Sequence, residues 1–169
     1  MKKQKGFSLI ELLIVVAIIL VIAAMAIPSL LRSRIAANEA SAVSSLRTIN
    51  TAEVTYAATY PLVGFAPDLA TLGPGSNPGN AAATSTNAVI LDSVLGCNGG
   101  TGSTGCVKNG YTIILSAPIT AGIPTSSYSV TAGPVTPDQT GKRYFYTDNS
   151  SIIHYNATAS ATSTDSPLQ

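Results

Sequence analysis

Apolar residues fall into three regimes along this chain. From Phe7 to Leu31 they are nearly continuous, and the single charge in that stretch is Glu11. From Ser29 to about Thr59 there is no Gly or Pro, and apolar residues recur at Leu31, Ile35, Ala42, Val43, Leu46, Ile49, Val54 and Ala57. Spacings mostly of three, four or seven predict an amphipathic helix that continues the apolar one, with one face needing a cover from downstream residues. Tyr60-Pro61 ends that helix, and Leu62 to Asn87, rich in Gly, Pro, Ala, Ser, Thr and Asn, reads as an irregular connection. Ala88 to Leu95 is a short apolar run of helix or strand type. Tyr111–Ser116, Tyr128–Ala132, Arg143–Thr147 and Ile152–Tyr155 are short, β-branched or aromatic, and bounded by turn residues, which predicts an antiparallel sheet with Asp148-Asn149-Ser150-Ser151 turning the last hairpin. The tail from Ala157 to Gln169 is mostly Ala, Ser and Thr and is expected to fray.

Length and charge narrow the possibilities. The chain has 169 residues, nine Lys or Arg against eight Asp or Glu, one His and two Cys. That size supports one domain plus an appendage, and the even charge balance argues against a nucleic-acid surface. Cys/His metal sites need three or four ligands, and with Cys97, Cys106 and His154 as the whole supply a zinc site is nearly excluded. No metal or cofactor is implied.

Leu12 to Leu31 gives 20 uncharged residues. At ~1.5 Å per residue that matches the roughly 30 Å hydrocarbon core of a bilayer. Lys2, Lys3 and Lys5 precede it and hold that end in the cytoplasm by the positive-inside rule, by a narrow margin over Arg32 and Arg34. The apolar core is too long for a cleaved secretory signal. Glu11 is the anomaly, because an ionised group near the bilayer centre costs ~2.5 to 3.5 kcal/mol. It either sits shallowly and reaches the headgroups or has a partner.

The run Lys5-Gly6-Phe7-Ser8-Leu9-Ile10-Glu11-Leu12-Leu13 resembles the leader and mature start of type IV prepilins and of type II secretion pseudopilins, and the likeness is close as far as Pro28. The resemblance implies peptidase cleavage after Gly6, N-methylation of the new terminal Phe7, and pairing of the Glu11 carboxylate with the terminal amine of a neighbouring subunit. It also implies a pilin-like α+β fold, a long amino-terminal helix packed on a small antiparallel sheet. Tyr144-Phe145-Tyr146-Thr147-Asp148 is similar to the closing hairpin of that family. Pro28 removes one helical hydrogen bond, so a kink or local melting near Met25–Pro28 is expected. The expected division is a leader (1–6), a membrane and filament-core helix (7–31), its amphipathic half (32–60), a head (61–156) and a tail (157–169).

With the head outside the cytoplasm, Cys97 and Cys106 read as a disulfide around a Gly-rich loop. Gly100-Thr101-Gly102-Ser103-Thr104-Gly105 matches G-x-G-x-x-G but does not join a strand to a helix, so it lacks the mechanism of phosphate binding. His154 is expected to face solvent or lie at an edge, with no nucleophile beside it. Asp68, Asp92, Asp138, Asp148 and Asp165 are scattered. Some pseudopilins of this resemblance bind calcium in the sheet domain, to which Asp138 and Asp148 could contribute, but no ligand set can be named. Glu39 and Glu53, beside Arg32, Arg34 and Arg47, read as a solvated helix face, with subunit contact as the sharper alternative. Phe7, Tyr56 and Tyr60 read as packing and interface aromatics. Two N-x-S/T sequons, at Asn149 and Asn156, are weak signals.

The function expected is therefore structural, not enzymatic. A filament subunit would assemble with copies of itself or with minor pilins, after meeting a prepilin peptidase and an inner-membrane assembly platform, and would end in an extracellular pilus. The alternatives are a type II secretion pseudopilin, building a short periplasmic filament, and a membrane-tethered periplasmic binding module.

Overall fold

The computed structural model describes residues 8–75, 82–97, 105–118 and 123–168. The chain divides into two compact units, one ending at Arg34 and one beginning at Ile35. Helix α1 (Leu9–Thr59) contributes to both. At its start Ser8 precedes the first turn and Glu11 Oε2 accepts the Ser8 N–H at 2.9 Å, one half of a capping box. Helical structure runs unbroken through Pro28. The proline nitrogen forgoes one bond while neighbouring turns keep theirs.

In the first unit the large apolar side chains stay exposed, from Leu9 at 80% to Leu30 at 64%. The second unit is built differently. Ile35, Glu39, Ala42, Val43, Leu46, Ile49, Asn50, Ala52, Glu53 and Tyr56 form the buried face of α1. Helix α2 (Leu69–Leu72) is a single turn capped by Asp68, whose Oδ1 accepts both the N–H and the hydroxyl of Thr71. The sheet follows as β1 (Cys106–Lys108), β2 (Tyr111–Ser116), β3 (Ser129–Pro134), β4 (Tyr144–Asp148), β5 (Ile153–Asn156) and β6 (Ser166–Pro167). It is an antiparallel meander in sequence order.

Alternation sets which face is buried. Tyr111, Ile113 and Leu115 of β2, Val130 and Ala132 of β3, Phe145 and Thr147 of β4, and Ile153 of β5 point inward, and their apolar members share one core with Leu46, Ile49 and Tyr56 of α1. Each large apolar side chain so buried stabilises the head by ~1.5 to 3 kcal/mol. The β1–β2 turn is the two-residue Asn109-Gly110, both at positive φ (47° and 74°), which matches the twist of a tight hairpin. At the β4–β5 turn the Ser151 N–H returns to the Asp148 carbonyl, as the sequence indicates.

Four expectations need correction. Ala88–Leu95 is neither helix nor strand. It is held by the N–H groups of Ala88, Ile90 and Leu91 donating to the carbonyls of Thr71 and Leu72, and it buries Ala88, Leu91 and Leu95. Strands β1 and β6 are additional to the four predicted. The tail does not fray through its described residues: Asp165 Oδ2 accepts the N–H and hydroxyl of Thr162, Asn156 Nδ2 donates to Asp165 Oδ1, and Ala161 is buried. Beyond that clasp, β6 pairs with β5. The fourth correction concerns Glu39 and Glu53, which are buried and not on a solvated face.

Candidate functional site

The segment Ser8–Leu31 concentrates the unusual chemistry. Gly6 and Phe7 lie outside the described residues. Glu11 is exposed among exposed apolar side chains, and its hydrogen bond goes to the Ser8 N–H of its own chain. A helix with this length and apolarity can cross a membrane. A face of Leu, Ile and Val open to water on every side is unstable as a solution monomer and requires lipid or other apolar helices. Pro28 sits within this stretch, flanked by the exposed Ile27 and Leu30.

In the head, the buried charges fasten α1 to the chain around it. Glu39 Oε1 accepts the N–H groups of Lys142 and Arg143 at 3.0 and 3.2 Å, and Oε2 accepts from Arg143 Nε at 2.8 Å. Burial works to raise the Glu39 carboxyl, and the Lys142 N–H with the Arg143 guanidinium and N–H outweigh it, leaving it below the usual carboxylate range. The same guanidinium lies over the rings of Phe145 and Tyr155, each 5.5 Å to the centroid. Asn38 Nδ2 donates to the Thr140 carbonyl and Asn109 Nδ2 to Ser41 Oγ. Deeper, Tyr128 donates to Asn50 Oδ1 and Asn50 Nδ2 to Thr147 Oγ1, a buried polar chain from helix to sheet. Burial raises the Tyr128 hydroxyl to about 12. Glu53 Oε2 accepts the Ala66 N–H at 2.8 Å.

Cys97 and Cys106 are joined by a disulfide, their Cα atoms 5.2 Å apart. Residues 98–104, which include most of the Gly-rich motif, lie outside the described residues. His154 is half-buried on the outer face of β5, with Nδ1 2.7 Å from the Asp165 carbonyl. Asp138 faces Lys142 across 3.6 Å, and Asp148 is turned to the Ser150 N–H. Among the described residues no three His, Cys, Asp or Glu side chains converge on a metal position. A crevice on the outer sheet face, lined by Thr112, Ile114, Thr131, Tyr144 and Ser160, presents hydroxyls and apolar groups without an acid–base pair. The segment Ser8–Leu31 therefore presents an apolar, singly charged helical surface.

Comparison with known proteins gives two findings. Residues 1–27 match the family model described as the prokaryotic N-terminal methylation motif. Over 39 residues, 23% of the chain, it is 59% identical to the type IV wide pilus major component PilA4 of Thermus thermophilus, and the match covers 30% of that protein's length. No solved structure matches the chain. Both likenesses are confined to a minor part of the chain.

Proposed function

We propose that the chain is a structural subunit of a type IV pilus or pilus-like filament, made as a single-pass inner-membrane precursor with residues 1–6 as leader and the head on the periplasmic side. A prepilin peptidase cuts after Gly6, and Phe7 becomes the methylated terminus. The observation that carries this reading is an exposed apolar helix with one carboxylate, Glu11, at its entrance. The matched methylation motif supports the processing, and the relative's printed name supports a pilus over a secretion pseudopilus.

The physical sequence follows from that helix. In the bilayer, lipid covers residues 7–31, and the headgroups or the Ser8 N–H accommodate Glu11. Cleavage creates an ammonium on Phe7, one helical turn before Glu11 of its own chain and equally available to the Glu11 of an adjacent chain. Two opposite charges in a low-dielectric setting attract strongly, and either one left alone is costly, so subunits dock where both are satisfied. Once out of the membrane, burial of each Leu, Ile or Val against neighbouring helices is worth ~1.5 to 3 kcal/mol. Repetition of one head-to-tail contact then extends an open fibre.

Mass spectrometry and assembly assays test this. The chain isolated from cells should lack its first six residues and carry one added methyl group on Phe7. Glu11→Ala should leave the precursor in the membrane and abolish sheared filaments. An intact Met1 terminus, or normal filaments from the alanine variant, would overturn the reading.

A further inference from the structure

Glu53 has no part in filament assembly as described, and its setting is unusual. It is 0% exposed, Oε2 accepts the Ala66 N–H, and Oε1 has no hydrogen-bond partner among the described residues. Among the described residues no positively charged group pairs with it. From α1 itself come Asn50, committed to Thr147 and Tyr128, and Tyr56, whose hydroxyl donates to the Ser85 carbonyl at 2.6 Å. From the sheet side comes Tyr128, and from the start of α2 the acidic Asp68 acts on Tyr56. The two ion pairs among the described residues use Glu39 and Asp138. An ionised Glu53 would thus be a buried, unpaired charge, whereas a neutral carboxylic acid keeps the Ala66 hydrogen bond and leaves only one hydroxyl unsatisfied.

We propose that Glu53 is a proton-controlled latch: uncharged, it fastens the connection at Ala66 onto α1, and loss of its proton releases the segment from Val63 to Leu72. The rest of its hold on the helix is apolar, through Ala66, Leu69 and Leu72 in the core shared with Leu46, Ile49 and Tyr56 of α1. Its other backbone ties run to Tyr60, whose carbonyl accepts the Val63 and Gly64 N–H groups, to Thr125, through the Phe65 N–H to the Thr125 carbonyl and the Thr125 N–H to the Val63 carbonyl, and to the 88–91 run through the carbonyls of Thr71 and Leu72. Freeing Ala66 therefore loosens a layer that includes Leu69, Leu72, Ala88 and Leu91, all of them core residues.

The sign follows from proton binding. Burial pushes the Glu53 carboxyl up to about 8, from 4.5 for a free side chain, with the Ala66 N–H opposing only in part. Between those values the latched form holds a proton that the released form does not. Opening should rise up to tenfold per pH unit across that window and level off above about 8.

Hydrogen exchange of the Ala66 amide in the full chain, held in detergent micelles, reads this directly. After correction for the intrinsic pH dependence of exchange, opening should increase with pH in the native sequence and be flat in Glu53→Gln. An opening equilibrium independent of pH, or the same slope in the Gln variant, would overturn the latch. Infrared spectroscopy of the native chain with isotope-labelled Glu covers the case in which the variant fails to fold. A label-shifted carboxylic acid band at pH 6 that is lost at pH 10 is expected, and its absence at pH 6 would equally overturn the proposal.

Discussion

Arg143 Nε donates to Glu39 Oε2 at 2.8 Å, joining residues 104 positions apart in the sequence. The same carboxylate collects two backbone N–H groups, so three donors depend on one side chain with 9% exposure. Glu39→Ala should therefore destabilise the head by about 2 to 3 kcal/mol, chiefly by orphaning those N–H groups. Arg143→Ala should cost less, because its guanidinium is 38% exposed and water takes its place. Denaturant unfolding of the two variants checks the ranking, and an equal loss would show that the guanidinium, not the pair of amides, dominates.

The two buried glutamates pull in opposite directions with pH. Glu39 is held below its ordinary value, so the stability it contributes is present above about 4.5 and is lost as pH falls through its folded value. Glu53 is held above, so its contribution is full at acid pH and is lost as pH rises from about 4.5 toward about 8. The head should be most stable on the acid side of neutrality. Thermal unfolding across a pH series should show that maximum, with Glu39→Gln flattening the acid limb; a maximum above pH 8 would contradict the assignment.

The burial of both glutamates is written in the helical register. The helical register Ile35, Glu39, Ala42, Leu46, Ile49, Glu53, Tyr56 alternates steps of four and three, so both glutamates fall on the buried stripe. Their charge argued for solvent, and only the tertiary donors at Ala66, Lys142 and Arg143 reverse that, which no local pattern reveals. The Asn109-Gly110 hairpin follows a local turn motif, yet it and strand β1 are not among the elements expected from the sequence. Strand β6 was not, because Ser166-Pro167 has no strand propensity and is held in place by the Asp165 clasp and the Leu168 N–H on the Ile153 carbonyl.

Gly141 lies against the ring of Tyr111. A Cβ there would overlap the phenol end of that ring, which is itself 0% exposed and donates its hydroxyl to the Arg143 carbonyl. The ring cannot swing away without abandoning that bond and its contact with Phe145. Gly141→Ala should cost roughly 1 to 3 kcal/mol through overpacking. A melting temperature unchanged from the native chain would mean that the 135–143 connection yields more easily than its hydrogen bonds imply.

The disulfide is expected to act locally and through the unfolded chain. Cys106 opens β1, an edge strand paired only with β2, while Cys97 ends the stretch that buries Leu95. Nine positions separate the two cysteines, and closing a loop of that size restricts the unfolded ensemble by roughly 2 to 3 kcal/mol. Replacing both by Ser should lower the melting temperature of the head by on the order of 5 to 10 °C. It should leave β2 to β5 paired, since their register is set by Tyr111, Val130, Phe145 and Ile153 on the core face. Amide exchange resolves the two effects: protection should fall at Val107 and around Leu95 while persisting at Ile113 and Phe145. Equal loss across all four strands would make the bridge a condition for the sheet instead of a brace at its edge.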